Sequence, residues 1–186
     1  MIKSIRLLGP RPGQSDVGSD VRRHIRRIAV ALLVAGCWSV TRAGANELYA
    51  GEQAFVREDY TRAAAIFSRE AERGDPVAET YLGSMYTNGR GVPQDYVAAV
   101  QWLRRASDQG YPAAQFLLGM MFDKGHGVKQ DFVEAEILLD LATAHAEPKL
   151  RDYWTRIRNA VAGKLTQDEL AYAQKAAVEW RPIQDR

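Results

Sequence analysis

Few side chains in this sequence are suited to chemistry. His24, His126 and His145 are its only imidazoles and Cys37 its only thiol. Nucleophilic catalysis needs a nucleophile with a base in hydrogen-bond reach, and a zinc site needs three or four ligands at set spacing. Neither pattern occurs, nor does a phosphate-cradling glycine loop. His126 lies between Gly125 and Gly127, where a sister segment carries Arg90, so it reads as a solvated loop residue. His145 falls near the expected end of a helix, where a positive charge is favourable. Asp95 and Asp131 each precede a helical pattern, and capping, worth about 1 kcal/mol, accounts for them better than catalysis. One cysteine permits no intrachain disulfide. No cofactor and no metal are expected.

The elements that hold these residues repeat. Shifting the sequence by 36 residues gives 15 identities in 36 positions, Gly74–Gln109 against Gly110–His145. Gly74, Pro76, Ala78, Leu82, Gly83 and Met85 recur as Gly110, Pro112, Ala114, Leu118, Gly119 and Met121. Gly89, Gly91, Asp95, Ala99, Leu103 and Ala106 recur as Gly125, Gly127, Asp131, Ala135, Leu139 and Ala142. Each copy reads as two helices. Ala78, Leu82 and Met85 form one apolar stripe at helical spacing, and Ala99, Trp102, Leu103 and Ala106 form another. Gly83 and Gly119 fall in mid-helix, where glycine costs roughly 1 kcal/mol against alanine. A close approach of the partner helix would offset that cost. Arg104 and Arg105 are expected on the solvated face. Thr166 and Glu169 form a capping-box pattern that opens a last helix with Leu170, Ala173, Ala177 and Trp180 on one face.

The chain has 186 residues, 46% hydrophobic and 26% charged, which excludes a fully disordered or collagen-like protein. Its net charge of +2 is unevenly placed. Residues 1–45 hold eight Lys/Arg and two Asp. Of the 25 Lys/Arg and 23 Asp/Glu in the chain, that leaves 17 and 21, a net charge of −4, so nucleic acid is not an expected partner. The basic run Arg22–Arg27, the 13 apolar residues Ile28–Val40 and the small residues Ala43-Gly44-Ala45 have the order of a secretory signal peptide. The apolar run is short of the roughly 20 residues of a spanning helix. Two processed starts stay open: Asn46 after Ala43-Gly44-Ala45, or a lipidated Cys37 after Val34-Ala35-Gly36. The long stretch before Arg22 also leaves open a start downstream of Met1.

The pattern Ala-x-x-x-Leu-Gly-x-x-Tyr, Gly-x-Gly-Val, Asp-Tyr-x-x-Ala, Trp-Leu-x-x-Ala resembles the Sel-one-like repeat family, a relative of the tetratricopeptide repeats. The resemblance implies an all-α fold, a short α-solenoid of helix-turn-helix repeats with a C-terminal capping helix. The expected divisions are a leader at 1–45, a degenerate repeat at 46–73, repeats at 74–109 and 110–146, and capping helices at 147–186. It further implies a non-catalytic interaction module, and the signal-peptide-like leader adds the expectation of export to the bacterial envelope. The periplasm is the expected location, or the membrane by a lipid on Cys37. The partner would be a protein or peptide on the concave face. By analogy with tetratricopeptide repeats, that face comprises Thr80, Ser84, Thr87 and Asn88, then Phe116, Met120, Asp123 and Lys124. For Phe116 and Met120, packing under the degenerate third hairpin or the C-terminal cap is the alternative to peptide contact. An envelope enzyme acting on a cell-wall or β-lactam compound is the alternative function; a cytoplasmic adaptor would require that the leader not act.

Overall fold

The computed structural model describes residues 47–183; the leader, Cys37 and Asn46 lie outside the described residues. The described chain is eight helices without a strand: α1 (47–56), α2 (Tyr60–Glu72), α3 (Pro76–Asn88), α4 (Tyr96–Asp108), α5 (Pro112–Lys124), α6 (Phe132–Ala144), α7 (Pro148–Ala162) and α8 (Gln167–Glu179). The helices α3/α4 and α5/α6 form hairpins, and α2–α3, α4–α5 and α6–α7 pack between successive pairs. This is the expected α-solenoid. No described helix is long and apolar enough to cross a membrane.

Local signals start α4, α6 and α8 as expected. The Asp95 carboxylate accepts from the Val97 and Ala98 amides at 2.9 and 3.0 Å, and Asp131 does the same for Val133 and Glu134. Thr166 and Glu169 form a reciprocal capping box at the start of α8. Within each hairpin the helices nearly touch. A Cβ placed on Gly83 would lie 2.7 Å from Leu103 Cγ, and one on Gly119 3.0 Å from Leu139 Cγ. Leu82, Leu103 and Leu139 are buried beside them together with Ala99, Ala106, Ala135 and Ala142.

The Gly-x-Gly loops join one hairpin to the one before it. Gly127 has φ +70°, and a Cβ there would lie 2.2 Å from the Tyr96 carbonyl oxygen, at the start of the preceding hairpin's second helix. The middle residue of the loop completes the contact. Arg90 sits over the Tyr60 ring at 5.3 Å, and the His126 ring stacks on Tyr96 at 4.5 Å. The third instance is Lys164, 4.8 Å over the Phe132 ring. Lys164 falls two places later than the 36-residue spacing requires, because α7 has 15 residues where α5 has 13. His126 is exposed, as a loop residue should be, and its ring contact is what the sequence left out.

At the C-terminal end the order changes. The helix α7 takes the next first-helix place, but α8 turns back to lie mainly against α6, with Ala173 buried. The Asp123 carboxylate, near the end of α5, pairs with Lys164 in the α7–α8 turn and with Lys124.

Gly127→Ala should therefore destabilise strongly, by about 3 kcal/mol or more, since backbone clash adds to the ~1–2 kcal/mol of left-handed strain. Gly74→Ala, at φ +86° with nothing within 4 Å of the added Cβ, should lose the strain alone. Urea denaturation of both variants checks the difference; equal losses would remove the loop contact as its cause.

Candidate partner-binding face

The first helices α3, α5 and α7 start in the same register, with Pro76, Pro112 and Pro148 each opening a helix. Corresponding side chains therefore form rows across them. The structure divides the eight expected face residues into two groups.

Three are interior. Thr80 is buried, and its hydroxyl donates to the Pro76 carbonyl at 2.7 Å. Phe116 is buried, stacked on Trp154 of α7 at 4.8 Å and 11° and tilted against Tyr153. Of the two alternatives for Phe116, the structure shows packing. The reason is Trp154, which stands in α7 where α3 and α5 have Leu82 and Leu118 and whose ring covers Phe116. Asp123 is buried and neutralised by its two lysines. Burial would raise the Asp123 pKa, but Lys164 and Lys124 outweigh it and hold the carboxyl below its ordinary range.

The other five are accessible. Ser84 and Met120 are half-buried, while Asn88 and Lys124 are exposed. Thr87 is half-buried and its hydroxyl is already used on the Gly83 carbonyl at 2.9 Å. The Asn88 amide donates to the Ser84 carbonyl at 2.7 Å, which fixes its orientation along α3. What remains open is a narrower row than the sequence suggested: mixed polar on α3, with one thioether and one ammonium on α5.

A second row was not anticipated. Glu79, Gln115 and Arg151 occupy equivalent places on α3, α5 and α7. Glu79 is fully buried and held by α4, with Arg105 Nε 2.9 Å from Oε1 and Gln109 Nε2 donating to Oε2 at 2.8 Å. Burial raises its pKa against the opposing pull of Arg105. Arg105 is therefore not the free surface charge expected of it. It pairs with Glu79, donates to the Ala71 carbonyl at 3.1 Å and covers the Trp102 ring at 4.6 Å. In the next hairpin the matching α6 residues are Leu141 and His145, so Gln115 receives no such partners. His145 ends α6 as expected and its Nδ1 meets the Leu141 carbonyl at 3.2 Å. Gln115 lines a cavity of about 880 Å³ between α6, α7 and α8. The register comparison of Arg105 with Leu141 was the signal in the sequence that pointed there.

One more carboxylate is out of place. Glu136 on α6 is fully buried where α4 has Val100, and its Oε2 has no hydrogen-bond partner. Burial and the neighbouring Asp140 push its pKa up to about 7, against Arg158. Among the described residues no group of three or more His, Cys, Asp or Glu side chains is placed to hold a metal ion.

Helical hairpins of 36-residue spacing, each held by a close glycine–leucine contact, joined through Gly-x-Gly loops and followed by a C-terminal helix, define a short α-solenoid. The chain carries two Sel1 repeats: the Sel1 repeat model matches residues 76–111 and 112–145. The fold is similar to that of a protective antigen present in uropathogenic Escherichia coli strains, which displays an SLR fold. That likeness has a TM-score of 0.66 at 30% identity over 72% of this chain and 29% of the other. A Sel1 repeat protein from Oxalobacter formigenes is 36% identical over 48% of this chain and 26% of its own, with a TM-score of 0.47. The chain thus spans under a third of either protein's length. No curated protein matches. Proteins built from Sel1 repeats are typically protein-interaction scaffolds without catalysis of their own.

Two outcomes follow. Phe116→Ala should cost about 3–5 kcal/mol in urea denaturation, as a buried aromatic does, whereas Gln101→Ala, at an exposed position of α4, should stay within about 0.5 kcal/mol. Glu136 has a folded-state pKa above its unfolded value, so its carboxyl is no burden below pH ~4.5 and costs stability as pH rises through about 7. Glu136→Gln should therefore stabilise at pH 8, by on the order of 3 kcal/mol at 1.36 kcal/mol per unit, and change little at pH 4.5. A melting-temperature gain equal at both pH values would contradict this.

Proposed function

We propose that this chain is an exported, non-catalytic interaction module of the bacterial envelope that holds a protein partner along the first-helix row. The observation that carries the reading is a constant frame with a variable row. Between the two repeats many packing positions are identical, among them Ala78/Ala114, Leu82/Leu118, Gly83/Gly119 and Met85/Met121. The row between them changes chemistry: Ser84 becomes Met120 and Asn88 becomes Lys124. A scaffold that fixes the backbone and frees one face for diverse side chains is how repeat arrays recognise partners. Met120 supplies an adaptable apolar contact, and Ser84, Asn88 and Lys124 supply polar ones. The basic, then apolar, then small-residue order of residues 1–45 supports export, either released after Ala45 or tethered through Cys37.

The test is site-specific photocrosslinking in the native envelope. Crosslinkers at positions 84, 88, 120 and 124 should capture one shared protein, and crosslinkers at the exposed Gln101 and Lys175 should not. Equal capture from both sets would reject the row as the binding face. Mass spectrometry of the mature N-terminus should find Asn46 or a lipid-modified Cys37. An unprocessed chain retained in the cytoplasm would end the envelope reading.

A further inference from the structure

The cavity between α6, α7 and α8 exists because α8 lies on α6 and leaves its far half and the segment Trp180–Pro182 standing off from α7. At about 880 Å³ it has the size of a small-ligand site rather than that of a groove for a helix. Its wall combines apolar surface from Leu141, Val178 and Trp180 with polar groups that converge from separate helices.

Two of those groups have unmet chemistry. Gln115 is 1% exposed, and its Oε1 accepts no hydrogen bond. A buried acceptor left bare costs about 1–3 kcal/mol; the equivalent Glu79 has Arg105 and Gln109 of α4 against its carboxylate to offset it, and Gln115 has neither. Arg151 uses one donor, Nη2, on the Ala146 carbonyl at 3.0 Å and has further N–H groups to offer. Arg158 is held by Asp140 at 2.8 Å and by Asn159. Among the described residues Asp140 is the one carboxylate in the lining, and it is spent on Arg158, which leaves Arg151 to receive an anion. The cavity therefore favours an anion, and its buried floor asks for an N–H.

We propose that this cavity binds a short peptide through its free carboxylate, received at Arg151, with a neighbouring backbone N–H donated to Gln115 and an apolar side chain against Trp180. Carboxylate and N–H adjacent on one small molecule are the defining groups of a peptide C-terminus. The site is separate from the Ser84–Lys124 row, and neither reading depends on the other.

The probe is a tetrapeptide pool with free C-terminal carboxylates, compared with the same pool amidated. Binding to the purified protein is followed by the NMR signals of the Trp180 indole and the Gln115 side-chain amide. Both signals should shift saturably with the acid pool, and the amidated pool should need at least tenfold higher concentration. Arg151→Ala should weaken binding at least tenfold, and Gln115→Leu should abolish it. Ala177→Phe, which fills the cavity from the half-buried face of α8, should abolish it too and serves if Gln115→Leu fails to fold. The proposal is overturned by no shift at millimolar peptide or by equal affinity for the two pools. Binding unchanged in both Arg151→Ala and Ala177→Phe, or shifts confined to the Ser84–Lys124 row, would overturn it as well.

Discussion

The structure depends on how closely two helices can approach. At Gly83 and Gly119 there is no room for a Cβ, because the side chain of Leu103 or Leu139 already occupies the space. That contact sets the depth of each hairpin and the rotation of its helices about their axes. Once those are set, Ala78, Met85, Ala99 and Ala106 must point inward and the Ser84–Asn88 edge must point elsewhere. Close-packed interiors transmit such a constraint without slack. The mid-helix glycine is locally unfavourable, and its cost is offset by dispersion contacts that only a small residue allows.

The fold was legible because the constraint repeats. Fifteen identities at a fixed spacing identify scaffold positions directly, and caps such as Asp95 and Asp131 behave the same way in both copies. The face was less legible, because exposure is decided by what lies next door. Phe116 stands in a row with Thr80, but the neighbour of Phe116 is Trp154, a large ring in the place of a leucine. Asp123 is hidden for a similar reason: its partner Lys164 lies 41 residues away, in the α7–α8 turn. Departures from the repeat, not the repeat itself, determine which of its surfaces remain open.

The same reasoning bears on charge. Glu79 and Glu136 are both buried carboxylates on the solenoid's interior faces. Glu79 has an arginine and an amide from the facing helix, so it ties α3 to α4. Glu136 has a bare oxygen and an acidic neighbour. The first is an interaction that specifies which helices pair; the second is a local conflict on α6, between Asp140 and Arg158. Both lie off the Ser84–Lys124 row.

The contacts Tyr60–Arg90, Tyr96–His126 and Phe132–Lys164 share one polarity: the aromatic ring always belongs to the earlier hairpin and the nitrogen-bearing side chain to the later one. Each hairpin therefore presents a donor edge behind and a receptor edge ahead. A duplicated unit inserted between two others would meet a matching edge on both sides and would disturb neither terminus. Such an array can lengthen or shorten by whole units in its gene while every junction keeps the same chemistry.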